Sequence, residues 1–235
     1  MQSANHFAPS KSRHIQSTIC HTTYFKRSFG IMVLMDSISG KALFVSEVKH
    51  ETNELYAQAI GSLKAKGIAI QSITCDGRRG LPQMFANMDI PVQLCQFHQV
   101  KTISRYLTRN PKTEAGKALW RLVLTLKSST QSDFERNLEA WFERYQSYLN
   151  ERTINPETGK ARYTHQKLRS ARSSLKRNLD GLFLFERYPE LGIHNTTNLP
   201  DGAFAGLKRH LACYHGMSKD NKVRFIKDYF SVQDD

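Results

Sequence analysis

The sequence predicts an α/β protein in which a mixed sheet is interrupted by an all-helical insertion. Three observations support this class. Residues 15–75 hold short runs rich in β-branched and aromatic residues, and one amphipathic helix pattern separates the last run from the others. After residue 98 the apolar spacing becomes helical. With 235 residues and 40% hydrophobic content, the chain is long enough to bury one substantial core.

The first three strands are expected at residues 15–25, 29–36 and 41–48. The short KRS segment joins the first two, with Arg27 at the centre of the turn, and SISG joins the second to the third. These connections are short enough for two hairpins. The sequence therefore predicts three antiparallel strands in succession.

A helix and a fourth strand follow. The segment ETNELYAQAIGSLKAKG has apolar residues at helical spacing and ends at Gly67, and IAIQSITC then continues as a strand to residue 75. The apolar residues of the helix are Leu55, Ala59, Ile60 and Leu63. A helix that crosses between two strands usually makes them parallel. Three antiparallel strands, a crossover helix and a parallel strand form the opening of a ribonuclease H-like sheet.

The insertion is expected at residues 100–185. Its clearest helix is SDFERNLEAWFERYQSYLNER, which begins with a Ser132/Glu135 capping box and carries an apolar stripe. The stripe consists of Phe134, Leu138, Trp141, Phe142, Tyr145 and Leu149. We expect residues 1–14 to be unstructured, residues 15–99 to form the first part of the core, and residues 186–235 to complete that core.

In the last segment, one helix pattern carries Phe204, Leu207, Leu211 and Tyr214 and is closed by Gly216. A shorter final helix is expected to be capped by Ser218. Both helices should return to the sheet.

The charge of the chain indicates a polyanionic partner. The formal net charge is +13 and the pI is about 9.7. Residues 101–178 hold 17 Lys and Arg against 7 Asp and Glu, which accounts for +10 of the total. Nucleic acid is the expected partner. The alternative is that these side chains only solvate helix surfaces.

Cysteine usage and hydropathy indicate the compartment. Four cysteines are scattered without CxxC pairs, which favours a reducing environment and disfavours a disulfide framework. The N-terminus lacks the apolar region of a signal peptide, and no run of about 18 apolar residues occurs. We therefore expect a cytoplasmic, nucleoid-associated protein without a membrane span.

Candidate functional residues lie at the expected end of the fourth strand and beyond it. Asp76 follows an apolar run directly, and chemistry in open α/β sheets gathers at strand ends. Cys95 and His98 follow at CxxH spacing, and Asp201 comes just ahead of a helix pattern. A single Asp after a strand is more often a turn residue than a ligand. The presence of Cys95, His98 and Asp201 nevertheless favours a functional site.

The motifs TTYFKRSFG, DGRRGL, CQFHQ, YLTRNPKTEAGK, LNERTINPETGK, KLRSARSSLKRNL and TTNLPDGAF occur in this order. Together they resemble the Mutator-like family of prokaryotic insertion-sequence transposases, over residues 17–230. The resemblance implies a ribonuclease H-like fold with an acidic triad, in which Asp76 is the second acid and Asp201 the third. It also implies that Cys95 and His98 form the Cys-x-x-His element of the family.

The chemistry implied by the resemblance is cleavage and strand transfer of DNA. Such reactions are in-line displacements at phosphorus, in which two Mg²⁺ or Mn²⁺ ions stabilise the attacking and leaving oxygens. Asp76 and Asp201 would hold these ions. Cys95 and His98 supply only two of the four ligands of a structural zinc site, so a buried cysteine and an orienting histidine are favoured over zinc. DNA and a second copy of the chain are the implied partners.

The sequence departs from the family at the first acid. His21 stands where relatives have aspartate, in TICHTTYF. Asp36 is a poor substitute, because the hairpin register places it opposite residues 16–18 and not opposite His21. Imidazole also suits transition metals better than Mg²⁺. We therefore predict a weak or inactive catalyst, which also lacks the preceding segment that recognises the ends of the element.

The expected DNA contacts form a strip without acidic residues between 160 and 177, together with one lysine of the last segment. The residues are Lys160, Arg162, Lys167, Arg169, Arg172, Lys176, Arg177 and Lys208. Two alternatives remain open: a non-catalytic DNA-binding remnant of a transposase, and a cellular nuclease or zinc-dependent nucleic-acid module.

Overall fold

A computed structural model describes residues 13–15, 17–25 and 28–231. The strands of the first part are β1 (Arg13–Ile15), β2 (Thr18–Phe25), β3 (Phe29–Asp36), β4 (Ala42–Val48), β5 (Ile68–Ile70), β6 (Ile73–Cys75) and β7 (Val92–Leu94). The helices between them are α1 (Asn53–Ala65) and α2 (Leu81–Ala86). Then follow α3 (Gln96–Leu107), α4 (Glu114–Leu124), α5 (Gln131–Asn150), β8 (Arg152–Ile154), β9 (Ala161–Tyr163), α6 (Gln166–Leu182), α7 (Leu184–Arg187), α8 (Asn198–Ala212) and α9 (Lys219–Ser231).

The central sheet has five strands in the order β4-β3-β2-β6-β7. The strands β2, β3 and β4 are antiparallel neighbours and β6 is a parallel strand, as the sequence predicts; the partner of β6, which the sequence left open, is β2. The parallel strand β7 and the short helix α2 were not predicted, because their apolar runs are only three to six residues long. Arg27, the expected centre of the first turn, and residues 1–12 of the expected unstructured segment lie outside the described residues.

The predicted fourth strand, residues 68–75, is two strands. It breaks at residues 71 and 72, so that β5 pairs with β1 in parallel and only β6 joins the central sheet. Arg13 and His14 therefore belong to a strand, although the sequence places them in the unstructured segment. Periodicity alone did not show this break because both halves are apolar.

Strand β3 is buried on both faces, which explains its continuous apolar run. Met32 and Leu34 face a core that includes α1 and the inserted helices. Ile31 and Val33 face a second core, which α8 and α9 complete. The sheet is thus the middle layer of three, and the last segment returns to the sheet as predicted.

The inserted helices do not form a separate core. Ile103 of α3 and Leu175 of α6 belong to the same apolar cluster as Met32 of the sheet. Helix α3 begins at Gln96 and crosses the predicted boundary at residue 100. The insertion is therefore an extension of the first core.

The prediction of an all-helical insertion was wrong, because β8 and β9 form a hairpin within it. Residues 155–159, NPETG, form its turn. Thr153 and Thr164 are hydrogen-bonded through their hydroxyls at 2.8 Å, and the Arg152 guanidinium lies 4.7 Å from the Tyr163 ring centroid. These cross-strand contacts hold two strands whose mostly exposed residues lack a pattern of alternating burial.

Helix α5 begins two residues earlier than predicted. Its cap is Thr130, whose hydroxyl oxygen accepts from the backbone N–H of Asp133 at 3.1 Å, so Ser132/Glu135 is not the capping box. Phe134, Leu138, Trp141 and Leu149 of the predicted stripe are buried. Phe142 and Tyr145 are partly buried.

The Thr130→Ala substitution is expected to lower the free energy of unfolding by about 1 kcal/mol, because it leaves the Asp133 N–H without its acceptor. Ser132→Ala is the matched control and should change the free energy by less than about 0.5 kcal/mol. Urea denaturation measures both. A larger loss for Ser132→Ala than for Thr130→Ala would contradict the observed cap.

The last segment matches its sequence pattern except at the end of its first helix, where Cys213 and not Gly216 is the C-cap. Phe204 and Leu207 are buried against the sheet, and the Ser218 hydroxyl accepts from the Asn221 N–H at 3.3 Å. Tyr214 lies beyond the end of α8 and its residue surface is 53% exposed. Among the described helices, none combines the length and apolar character that crossing a bilayer requires.

Candidate active site

The candidate site lies where β2 and β6 run side by side. Thr18 pairs with Ile73 and Ile19 with Thr74, and the same offset carried two residues further puts His21 beside Asp76. Neighbouring strands are about 4.8 Å apart, and residues in register point to the same face. Asp76 leaves β6 in a tight turn, in which its Oδ1 accepts from the Arg78 backbone N–H at 3.2 Å.

Asp201, the third expected site residue, contacts His21 from the helical layer that covers the sheet. Asp201 lies in the first turn of α8, and its Oδ1 is 3.3 Å from His21 Nε2. The sequence placed Asp201 ahead of this helix, whereas the helix already begins at Asn198. The phenyl ring of Phe204, one turn further along, lies 5.6 Å from the His21 ring.

The segment before α8 is tied to the sheet edge, and this directs α8 over β2. The Thr74 hydroxyl donates to the His194 carbonyl at 2.8 Å, and the Gln96 N–H donates to the Asn195 carbonyl at 2.9 Å. The residues that provide these two carbonyls are distant in sequence from the residues that bond to them. These bonds explain how Asp201 comes back to β2 after the long insertion.

Cys95 and His98 lie at the start of α3 and share a partner, Thr197. The Thr197 N–H donates to Cys95 Sγ at 3.3 Å, and the Thr197 hydroxyl lies 3.5 Å from both Cys95 Sγ and His98 Nδ1. Cys95 is buried and His98 is partly exposed. Thr197 was not predicted as a site residue, although it directly precedes the helix that carries Asp201.

The two histidines have opposite pKa shifts. Burial lowers the pKa of His21, and the nearby Asp201 carboxylate opposes that effect only in part. Hydrogen bonding to Cys95 raises the pKa of His98 above its ordinary value, against the effect of burial. Burial would raise the pKa of the Cys95 thiol, but hydrogen bonds from His98 and Thr197 outweigh it and lower that pKa.

We expect His98 to titrate at a higher pH than His21, on either side of the ordinary value of about 6.5. The lowered pKa of His21 makes the unfolded chain bind more protons, so this residue destabilises the fold as pH falls below 6.5. The raised pKa of His98 stabilises the fold at low pH, and this contribution is lost as pH rises through the folded pKa. Titration of the imidazole resonances by NMR measures both, with His21→Asn and His98→Asn for assignment. Titration in the reverse order would contradict the described environments.

The described residues do not fit the expected two-ion magnesium site. Within residues 13–15, 17–25 and 28–231, no group of three or more His, Cys, Asp or Glu side chains is placed to hold a metal ion. Asp201 faces His21, which provides nitrogen where Mg²⁺ prefers oxygen. Asp36 does not take the place of the missing acid at position 21. Asp36 pairs with Thr18, as the predicted register requires, and its carboxylate accepts from the Ser39 hydroxyl at 2.6 Å within a turn.

The expected DNA-contact strip divides into two groups. Three of its side chains are engaged within the protein: Arg172 and Lys176 both bind Glu139, at 3.0 and 2.9 Å, and Arg169 donates to Asn150 at 2.9 Å. Glu139 comes from α5, so the acid-free window of residues 160–177 could not show this pairing. Lys160, Arg162, Lys167 and Arg177 are exposed.

Lys208 lies beside the candidate active site and apart from the strip. Its Nζ donates to the Thr23 hydroxyl at 2.9 Å, on the same strand as His21. The ammonium group also helps to lower the pKa of His21. Lys208 therefore places a positive charge near His21.

A cavity of about 1480 Å³ adjoins the candidate active site. Its lining includes Asp76, Cys95 and His98 and residues of α2, α3 and α6. The cations Lys101 and Arg105 of α3 line it and were not predicted. Their spacing of four residues, following His98 by three and seven, is a helical-face pattern that the sequence does contain.

No protein-family model and no curated protein matches this chain. Among solved structures, the chain is similar to the catalytic core domain of BIV integrase, at 12% sequence identity and with a TM-score of 0.30. The similarity covers 75% of this chain and 98% of that one. These values are too low to assign a family or an activity.

Proposed function

We propose that the chain is a ribonuclease H-like DNA transposase domain of the Mutator-like type, in which His21 has weakened or abolished catalysis. The observation that carries this proposal is the meeting of His21, Asp76 and Asp201 on one face of a mixed sheet. These residues come from a central strand, the end of a neighbouring parallel strand and a helix that returns after a long insertion.

The arrangement has two of the three acids that a metal-dependent phosphoryl transfer site of this type requires. The β2–β6 register, extended by two residues, puts His21 beside Asp76, and His21 contacts Asp201, so a carboxylate at position 21 would lie near the other two. Three carboxylates offer hard oxygen donors, and Mg²⁺ or Mn²⁺ bound to them would stabilise the attacking and leaving oxygens of the phosphodiester. The present side chain instead presents an imidazole whose protonation burial disfavours.

A second candidate function is DNA binding without catalysis. The contact between His21 and Asp201 and the absence of a three-ligand set among the described residues support it. The unpaired cations along the cavity support it as well. Salt-dependent binding without strand cleavage would favour this reading, and self-association of the chain stays a prediction from the resemblance.

The test is nicking of supercoiled plasmid DNA in the presence of Mn²⁺ or Mg²⁺, by the protein and by its His21→Asp form. Nicking that appears with the substitution and requires Asp76 supports the transposase proposal. A folded His21→Asp protein that binds DNA and cuts none favours the second candidate.

A further inference from the structure

The groove between α3 and α6 has two walls that carry cations on corresponding faces. Lys101 and Arg105 project from α3, four residues or about 6 Å apart along its axis, and Arg177 projects from α6. We call this surface, defined by these three residues, the α3–α6 groove. All three residues are exposed, and their side chains have no ion pair or hydrogen bond within the described part of the chain.

The floor of the groove is polar and fixed. The Gln99 amide donates to the Ser174 hydroxyl at 3.1 Å and accepts from the Asn178 amide at 2.9 Å. Gln99 and Ser174 are buried. These bonds hold α3 against α6, so the backbone positions that carry the cations are fixed before a ligand arrives, and only the exposed side chains have to be ordered on binding.

The groove adjoins both the candidate active site and a second cavity. Asp76 and His98 line the first cavity, and Arg105 follows His98 by seven residues, about 10 Å along α3. The second cavity has a volume of about 450 Å³ and shares Tyr106 and Arg177 with the first. The two cavities are therefore neighbours, and we refer to their combined lining as the path.

The shape of this path indicates a polymer of small cross-section. The first cavity exceeds the roughly 300–1,000 Å³ of a small-molecule site. The helices α3 and α6 contact each other, and packed helices lie about 8–10 Å apart. A single sugar-phosphate backbone can follow the cleft between their surfaces, with Lys101 and Arg105 on one side and Arg177 on the other.

The charge of the path indicates phosphate. The lining of the first cavity has six Lys and Arg side chains against three carboxylates. Asp180 is paired with Arg187, and Arg78 with Glu51, so four of the cations and two of the carboxylates have no ion pair within the described part of the chain. Cations on two walls of a groove are the arrangement by which proteins follow the backbone of a single strand.

We propose that the α3–α6 groove binds a single strand of DNA through its phosphates and guides it to or from the candidate active site. This inference rests on the proposed function for the choice of DNA. Lys101, Arg105 and Arg177 make the phosphate contacts, and the resulting binding is insensitive to base sequence. The contacts differ from the predicted strip, of which only Arg177 belongs to the groove.

The test compares two triple variants that remove the same charge. Lys101→Ala/Arg105→Ala/Arg177→Ala changes the groove, and Lys64→Ala/Lys66→Ala/Arg121→Ala removes three exposed cations that line neither cavity. Anisotropy of a fluorescein-labelled single-stranded DNA of mixed sequence, longer than the roughly 4–16 nucleotides of a typical site, gives the Kd over about 50–200 mM salt. EDTA is present, so that turnover does not contribute.

The groove variant should bind roughly 10- to 100-fold more weakly at low salt, and the slope of log K against log salt should fall by about 2, or 0.7 for each lost phosphate contact. The control variant should retain the slope of the wild type. Equal losses in both variants, an unchanged groove variant, or binding of duplex alone would overturn the proposal. If the triple variant does not fold, as judged by circular dichroism, Arg105→Glu provides the same comparison with a single exposed residue.

The outcome is separable from that of the proposed function. If the His21→Asp protein fails to nick DNA while the groove variant alone loses single-strand binding, the groove proposal holds and the catalytic proposal fails. If nicking is gained and the groove variant binds as the wild type does, only the groove proposal fails.

Discussion

The His21→Asp protein is expected to nick supercoiled DNA at least about 100-fold faster than the wild-type protein in the presence of Mn²⁺. A factor of this size is typical for one group that stabilises transition-state charge. The substitution places a carboxylate in register with Asp76 on the neighbouring strand and opposite Asp201 on α8. It also removes the imidazole that Asp201 now faces, so that the Asp201 carboxylate becomes free to bind a cation.

Three variants make this prediction specific. His21→Asn removes the imidazole without adding a charge and should stay inactive. His21→Asp/Asp76→Asn and His21→Asp/Asp201→Asn should return to the wild-type rate, because each lacks one of the three acids. Nicking that survives either double substitution would show that the cleavage comes from a contaminant or from another site. EDTA should abolish the activity of the His21→Asp protein.

The geometry of the candidate site could be anticipated where it depends on strand register. The hairpin register placed Asp36 opposite residues 16–18, and Asp36 pairs with Thr18. The crossover helix predicted a parallel strand but not its partner, and it is the pairing of β6 with β2 that brings Asp76 beside His21. Local pattern sufficed for the hairpins because each links neighbouring elements of the chain, whereas the choice of β2 as the partner of β6 depends on how the sheet assembles.

Contacts between distant segments could not be predicted in the same way. Glu139 neutralises Arg172 and Lys176 from a separate helix, which no count of charges within residues 160–177 can show. Thr197 binds Cys95 and His98 across about a hundred residues of chain. The α3–α6 groove likewise depends on the packing of two helices that are distant in sequence, which Gln99 bridges by hydrogen bonds. Each of these features depends on how the inserted helices pack, and a periodic pattern fixes which face is apolar but not which helix covers it.

Phe204→Ala is expected to lower the free energy of unfolding by about 3–5 kcal/mol, the usual cost of truncating a fully buried phenyl ring. Phe204 is 2% exposed and packs between the sheet and α9, with the Phe230 ring 5.3 Å away. It follows Asp201 by three residues, so both side chains lie on the face of α8 that covers β2. The cavity left by the substitution would therefore lie beside the candidate active site.

Tyr214→Ala is the control, since this aromatic residue follows α8 and its surface is 53% exposed. It should cost less than about 1 kcal/mol in the same urea denaturation experiment. In the His21→Asp background, Phe204→Ala should also reduce nicking under conditions where the protein remains folded, because Phe204 sets the position of α8 and hence of the Asp201 carboxylate. A loss of stability without a loss of nicking would mean that α8 is held over β2 by other contacts, among which the bond from Lys208 to Thr23 is the first to test.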